Sequence, residues 1–358
     1  MITTTSPVNW SNVVEITDTS LHLHDIRYKA YIAVMFFILT AGFLGNVVTI
    51  LVLYQPSLRS ETLTPLMVNL AFADLFLTIF GYPTSITMLL AGRDIGNDET
   101  GCSWYGFANG TVGIASIVTF TEMTIVLSYI MHQMKPRYRC SRKVTCGLTV
   151  APWSYGAMCM LPPLLGVTHF SPGAAGMNCG PDWINISTIG MVYSLLLVTA
   201  GFFVPLIIIS LCYFKIFRLV FLAQMLRLLR EDLVPGNRPI RLRRRKRQIK
   251  LLRLTVVAIT VFILSWSPYC MVSIMSIFRG DHLLSPGEAE IPDLMAKASV
   301  IYNPFVYTVM NRRFRLTLWA VVSRKSHRQR LSSKSKESST SVHNRITDSK
   351  SLKVAFNV

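Results

Sequence analysis

Seven separate stretches of this chain are apolar and long enough to cross a membrane as helices. A membrane-spanning helix needs about 20 predominantly apolar residues. The stretches cover residues 31–54, 64–90, 102–131, 146–167, 189–220, 251–277 and 292–310. Of all residues 51% are hydrophobic and the mean hydropathy is +0.43, which is too apolar for a soluble domain. We therefore predict an all-α membrane protein, a seven-transmembrane helix bundle.

The basic residues lie on one side of these stretches. Of the 36 Lys and Arg residues, 31 fall at Arg59 and in the segments 135–143, 215–253 and 312–358. The segments on the other side carry only four basic residues but eleven of the eighteen acids. This alternation is the positive-inside pattern, and it places the N-terminus outside and the C-terminus in the cytoplasm. The net charge of +18 therefore faces anionic membrane lipid, and no nucleic acid partner is expected.

The same pattern divides the chain into four parts. An extracellular N-terminus over 1–28 opens without the features of a cleaved signal peptide and carries a glycosylation sequon at Asn9. The bundle follows over 29–310, and 311–323 can form a short amphipathic helix at the cytoplasmic surface. The Ser-, Thr- and Lys-rich tail over 324–358 is expected to be disordered. Its serines are candidate phosphorylation sites, with a plain solvated tail as the alternative.

One lysine lies inside the seventh apolar stretch. Lys297 belongs to the run 294–304, and an ammonium in hydrocarbon costs at least roughly 2.5 kcal/mol. A membrane protein keeps such a residue when it is paired, or when the amine is not an ammonium. Condensation of the amine with an aldehyde is one way to remove the cost. Lys297 is therefore the first candidate functional residue.

Several landmarks of the chain match a known family. Together they resemble the rhodopsin-like class of G protein-coupled receptors, and the resemblance covers residues 31 to 314. It implies a short eighth helix after the bundle. The landmarks are Gly45-Asn46, Leu70-Ala71-Phe72-Ala73-Asp74, Cys102 with Cys179, Trp153, Pro205 with Tyr213, Trp266-Ser267-Pro268-Tyr269 and Asn303-Pro304-Phe305-Val306-Tyr307.

Within that class the seventh stretch resembles the opsins. Lys297 stands six residues before Asn303-Pro304, the place where the opsin lysine forms a Schiff base with retinal. The resemblance implies retinal, as the 11-cis or the all-trans isomer, as the cofactor. The run 102–106 resembles the non-visual, neuropsin-like opsins. A disulfide between Cys102 and Cys179 would tie the top of the third helix to the loop after the fourth.

The resemblance also implies a pocket and a switch. A long polyene requires an apolar, aromatic pocket, although ordinary bundle packing would also explain the aromatic residues. The implied pocket residues are Tyr105, Gly113, Trp266, Tyr269 and Gly180. The implied switch residues are Asp74, Tyr213, Asn303, Pro304 and Tyr307. No metal ligands are indicated.

The chain departs from the opsin pattern at the counterion, the carboxylate that balances a protonated Schiff base. The two positions that supply a glutamate in many opsins hold Tyr105 and Gly173. We count Asp74 and Glu122 as the only acids within the spans, and neither is a suitable counterion. At 1.5 Å per residue, Glu122 lies roughly 30 Å below Cys102, near the cytoplasmic end. We therefore expect a largely neutral imine that absorbs ultraviolet or violet light. Outer-loop acids are the remaining candidates: Asp98, Glu99 and Asp182.

A second departure concerns the output. The family carries an acid-Arg-Tyr triplet at the cytoplasmic end of the third helix, but the run 125–130 reads Ile-Val-Leu-Ser-Tyr-Ile. The sixth helix offers no acid to pair with such an arginine, since 243–248 is basic. Pairing of Glu122 with that basic run is an open alternative. Coupling to a G protein is therefore in doubt.

Three functions remain open. The first is a photoreceptor, a light-sensing receptor of the plasma membrane that acts through a heterotrimeric G protein, with arrestin and a kinase as partners at the tail. The second is a retinal photoisomerase that uses the same lysine, which the missing arginine favours. The third is a ligand-activated receptor in which Lys297 is incidental.

Overall fold

The computed structural model describes residues 10–91, 93, 95–133, 140–174, 176–229 and 238–323. The sequon at Asn9, the tail over 324–358 and the side chains of 243–248 lie outside the described residues. The helices are α1 Trp10–Leu53, α2 Pro56–Arg59, α3 Thr64–Phe76, α4 Tyr82–Leu90, α5 Glu99–Gln133, α6 Arg142–Leu164, α7 Thr188–Val198, α8 Val204–Leu229, α9 Arg238–Arg279, α10 Pro286–Lys297, α11 Ser299–Met310 and α12 312–323.

Six helical segments of the described chain are long and apolar enough to cross a membrane. They are Lys29–Leu53, Thr64–Leu90, Glu99–His132, Arg142–Leu164, Thr188–Leu222 and Ile249–Arg279. The seventh predicted span consists of α10 and α11, which meet at Ala298 and have 12 residues each, so neither is long enough alone. The seven-helix architecture is confirmed, with its last span broken in the middle.

Prolines inside the spans explain two local irregularities. Short π-helical segments, Leu77–Gly81 and Thr199–Phe203, lie directly before Pro83 and Pro205. A helix proline lacks an N–H group and its ring clashes with the carbonyl four residues earlier. The wider π turn relieves that clash while the helix continues. These segments join α3 to α4 and α7 to α8 as single spans.

The proline of the last span is compensated from another helix. Pro304 has no N–H to donate to the carbonyl of Val300. The side chain of Asn46 on α1 donates instead, with Nδ2 2.8 Å from Val300 O and 2.9 Å from Gly42 O. Asn46 is fully buried. A freed backbone carbonyl at membrane depth is thus satisfied by a neighbouring helix, which is the requirement that a bilayer imposes.

Helix α5 is the centre of the bundle. It packs against α3, α6, α8 and α9 and against both strands of an extracellular hairpin. The hairpin pairs β1 Phe170–Pro172 with β2 Cys179–Pro181 in antiparallel register. The prediction of a purely α-helical chain missed these strands because each has only three residues. The predicted disulfide is confirmed, and Cys102–Cys179 fastens the hairpin to α5.

Helix α12 lies against the cytoplasmic end of the bundle. The Phe314 side chain is 1% exposed, and its ring centroid is 6.2 Å from that of Tyr307. Arg313 Nη1 is 3.0 Å from Glu61 Oε1. Leu316, Trp319 and Val322 are exposed apolar side chains, as expected of a helix that lies at a lipid interface.

Candidate functional site

All the residues that the sequence assigns to a pocket line one cavity in the extracellular half of the bundle. The cavity volume is about 140 Å³. A single water molecule needs only about 10–15 Å³, so the cavity is large enough for an organic ligand. The predicted residues on its wall are Lys297, Tyr105, Gly113, Trp266, Tyr269 and Gly180.

Two aromatic rings from α9 form one wall and are held by specific contacts. Trp266 Nε1 donates to Ser299 Oγ at 3.3 Å, and Trp183 Nε1 donates to Tyr269 Oη at 3.1 Å. A Cβ atom on Gly113 would lie 2.8 Å from the Trp266 ring. The rings therefore have fixed orientations, and glycine at 113 leaves the space that the Trp266 indole occupies.

Lys297 ends α10 with its amine buried inside the cavity wall. The residue is 5% exposed. Nζ donates to Tyr31 Oη at 2.7 Å and makes an ion pair with the Asp293 carboxylate, four residues earlier on the same helix. Tyr31 Oη in turn donates to Asp293 Oδ2 at 3.0 Å. The three side chains form a closed hydrogen-bonded triangle that joins α1 to α10.

The backbone polar groups at the helix break beside Lys297 are also hydrogen-bonded. Tyr82 Oη donates to the Lys297 carbonyl at 3.3 Å. The Ala298 N–H still bonds to Leu294 O at 2.9 Å, and the Ile301 N–H bonds to Ala298 O at 3.0 Å in a tighter turn. The helical hydrogen-bond pattern is therefore interrupted at Ala298, the residue that follows the lysine, while these backbone groups stay paired.

The expectation that no carboxylate balances Lys297 is wrong. Asp293 is 7% exposed and lies one helical turn before the lysine, on the same face. The charge pattern assigned Asp293 to the extracellular acids because it stands at the very start of the seventh stretch. The spacing of four residues between Asp293 and Lys297 was the signal that could have found it. The expectation that the pigment absorbs ultraviolet or violet light rested on the supposed absence of such a carboxylate.

Within the described part of the chain, the other acids named above as counterion candidates do not line the cavity. Asp74 Oδ2 accepts from Asn303 Nδ2 at 3.1 Å. Asp182 is 3.2 Å from His169 Nε2 in the hairpin. Glu122 is partly buried, and its Oε2 has no hydrogen-bond partner in the described part of the chain. Asp293 is the acid that meets the lysine.

Comparison with known proteins decides the family. The family model of the 7 transmembrane receptor (rhodopsin family) matches residues 45–307. The chain belongs to the rhodopsin family of seven-transmembrane receptors. It is therefore a multi-pass membrane protein, as predicted.

The relatives of this receptor include opsins. Melanopsin of Felis catus is 28% identical over 301 residues, which cover 82% of this chain and 61% of the relative. A melanopsin-like protein of Danio rerio is 29% identical and covers 82% and 59%. The chain thus spans about three fifths of these curated relatives. The crystal structure of squid rhodopsin matches with a TM-score of 0.74 and 25% identity, over 82% of this chain and 85% of that chain. The neuropsin-like subgroup stays a prediction.

The residues that the resemblance implies as a switch lie on α3, α8 and α11. Asp74 and Asn303 bond to each other, and Pro304 lies next to Gly45 of α1, where a Cβ atom would be 3.0 Å from the proline ring. Tyr307 is 1% exposed, and its hydroxyl has no hydrogen-bond partner among the described residues. Tyr213 packs beside the cytoplasmic end of α5.

That end of α5 is held by apolar contacts. Leu127, within the run that replaces the acid-Arg-Tyr triplet, is fully buried. It packs with Met131 of α5 and Ile216 of α8. The contact between these helices is therefore hydrophobic at the level where the family resemblance implies a charged residue.

Proposed function

We propose that this receptor is a photoreceptor that binds retinal through a Schiff base on Lys297. One observation carries the proposal: a single lysine amine is buried in an apolar, aromatic cavity between the helices. The amine belongs to the wall of that cavity, so an aldehyde ligand in the cavity can bond to it covalently.

The residues of the cavity fit retinal. The lining is predominantly apolar with few polar groups, as a polyene requires. The Tyr105 hydroxyl is buried in the same wall and has no hydrogen-bond partner in the described part of the chain, so it is free to meet a ligand. The disulfide-fastened hairpin contributes Gly180 to the cavity wall. Retinal, when bound, would supply light absorption and light-driven isomerisation.

The residues around the amine can prepare it for attachment. Only a neutral amine attacks an aldehyde. Asp293 contacts Lys297 Nζ directly, so its carboxylate can hold the proton that the amine must lose. Trp266 and Tyr269 would restrict the orientation of the polyene, because both rings are fixed by hydrogen bonds.

The proposed output is activation of a heterotrimeric G protein from the plasma membrane. Arrestin and a kinase would act at the Ser-rich tail, and lipid would contact α12. The opsin relatives support this output in general. Leu127 favours a second function, a retinal photoisomerase, because the buried leucine occupies the region where the family arginine contacts the G protein. A ligand-activated receptor with an incidental lysine is the third candidate.

The test is reconstitution of the purified full-length receptor with 11-cis and with all-trans retinal. Spectra are recorded before and after light, and attached retinal is trapped by borohydride and located by mass spectrometry. We expect trapping on Lys297 and its loss in Lys297→Ala, with Lys29→Arg as a matched control on an exposed lysine. A receptor that traps no retinal is the ligand-activated alternative.

The output is tested on the same preparation. Light-dependent nucleotide exchange on a G protein supports the photoreceptor. Stereospecific release of retinal on illumination without nucleotide exchange supports the photoisomerase. Because both measurements use the same pigment, a negative exchange result cannot be confused with failed loading.

A further inference from the structure

The nitrogen of Lys297 already has a negatively charged partner. Asp293 contacts Nζ from the preceding turn of α10, and the exposures of the two residues are 7% and 5%. Nζ is the atom that would become the imine nitrogen of a Schiff base. Among the described residues that line the cavity, Asp293 is the one carboxylate and Lys297 the one cationic side chain.

We propose that Asp293 is the counterion of a protonated Schiff base on Lys297, and that Tyr31 holds its carboxylate in position. This inference rests on the proposed function, since it needs retinal on the lysine. The carboxylate takes over the role that a glutamate plays elsewhere in many opsins, at positions where this chain has Tyr105 and Gly173. A protonated imine beside a fixed carboxylate stays charged in a buried site, where an unpaired one would lose its proton.

The geometry distinguishes this counterion from one on another helix. Asp293 and Lys297 lie one turn apart on α10, so they move together whenever that helix moves. Tyr31 belongs to α1, and its hydroxyl bonds to both side chains. A displacement of α10 relative to α1 would break the tyrosine contacts but keep the ion pair.

The outer side of the triangle adjoins a second cavity toward the extracellular surface. Asp293 and Tyr31 both line this second cavity, and Asp293 also lines the first. The carboxylate is therefore bordered by both cavities. The titratable groups that face the pair or its outer cavity are Tyr31 of α1, Tyr82 of α4, Tyr105 of α5, Tyr269 of α9, Glu290 of α10 and His282 of the loop before α10.

The inference predicts a visible absorption band in the dark, in place of the ultraviolet band expected from the sequence. The experiment records dark spectra of the retinal-loaded full-length receptor across pH, for the wild type and three variants. Asp293→Asn should lose the visible band at neutral pH and regain it only in acid. Asp293→Glu should keep the band, and Glu99→Gln, which removes an exposed outer acid, should leave the spectrum unchanged.

Retinal attachment is measured on every sample by borohydride reduction after denaturation. Retinal attached to an Asp293→Asn receptor that still absorbs in the visible at neutral pH overturns the counterion and leaves the proposed function standing. So does a wild type with attached retinal and only an ultraviolet band. A wild type with no attached retinal removes the proposed function itself.

A milder variant on α1 provides a second route. Tyr31→Phe keeps both charges and removes only the hydroxyl that bonds to them. We expect its visible band to disappear over a lower pH range than that of the wild type, because the carboxylate is held less well. An unchanged pH range in Tyr31→Phe, together with loss of the visible band in Asp293→Glu, overturns the proposal even if Asp293→Asn cannot be purified.

Discussion

The hydrogen bond from Asn46 to the Val300 carbonyl should contribute to the free energy of unfolding only because residue 304 is a proline. Asn46→Ala removes the Nδ2 donor 2.8 Å from Val300 O and leaves that carbonyl buried without a partner. An unsatisfied buried backbone group costs about 1–3 kcal/mol. Part of this cost is offset, because Asn46 Oδ1 is itself buried without a partner in the described part of the chain. We expect a net loss of about 1–2 kcal/mol in the free energy of unfolding.

A double-mutant cycle isolates the cause. In a Pro304→Ala background the N–H of residue 304 can donate to Val300 O, so Asn46→Ala should then cost at least about 1 kcal/mol less. Asn69→Ala is the matched control, because Asn69 bonds to Thr119 Oγ1 at 3.2 Å and to Trp153 Nε1 at 3.0 Å, with no proline-freed carbonyl involved. Its cost should be the same in both backgrounds.

The assay is equilibrium unfolding of the purified receptor in mixed micelles of detergent and denaturing surfactant, read by far-ultraviolet circular dichroism. The four members of each cycle are measured at one protein concentration and one temperature. Equal costs of Asn46→Ala with proline and with alanine at 304 would refute the compensation. A smaller cost of Asn69→Ala in the alanine background would show instead that Pro304→Ala loosens the whole bundle.

Two further predictions concern the cavity and the extracellular end of α10. Gly113→Ala places a carbon atom 2.8 Å from the Trp266 ring, so we expect slower uptake of retinal in a loading time course, while Gly147→Ala, with nothing within 4 Å, should load at the wild-type rate. The hydrogen bonds from Ser285 lower the pKa of Glu288. A lowered folded-state pKa gives stability that is present above the unfolded pKa and is lost as the pH falls through the folded value. Ser285→Ala should therefore flatten the pH dependence of the melting temperature in that acid range, and an unchanged profile would contradict the cap.

The architecture was predictable because a bilayer limits what an apolar chain can do. Each span must be a helix about 20 residues long, and loop charges then fix the orientation. The break of the seventh span at Ala298 was not predictable in the same way. Hydropathy does not distinguish a continuous helix from two that meet end to end, and the contact that supports the break comes from Tyr82 on another helix.

The position of Asp293 shows where reasoning from composition fails. An acid at the edge of an apolar stretch, after Glu288 and Glu290, has the same sequence signature whether it faces water or the bundle interior. Asp293 faces the interior, where Tyr31, 262 residues away in the chain, donates a hydrogen bond to its carboxylate. Lys297 itself was recognisable because a lysine in the middle of a membrane span is costly and is kept there for a specific role.

The ion pair changes what the burial of Lys297 implies. Because Asp293 offsets its charge, the lysine can be buried without any aldehyde, so the burial alone does not require retinal. Removing one partner of a buried pair costs about 3–5 kcal/mol, whereas replacing both is close to neutral. Lys297→Ala should therefore destabilise the retinal-free receptor by about that amount, and Lys297→Ala combined with Asp293→Asn should recover most of it.

The same unfolding assay measures this second cycle, in the absence of retinal. If the double variant is as unstable as Lys297→Ala alone, the pair does not account for the burial of the amine. The double variant has a practical use as well. It lacks the attachment amine but carries no unpaired buried charge, so it is the better negative control for retinal trapping. Failure of Lys297→Ala to trap retinal could reflect misfolding, whereas the same failure in a stable double variant reports the missing nitrogen.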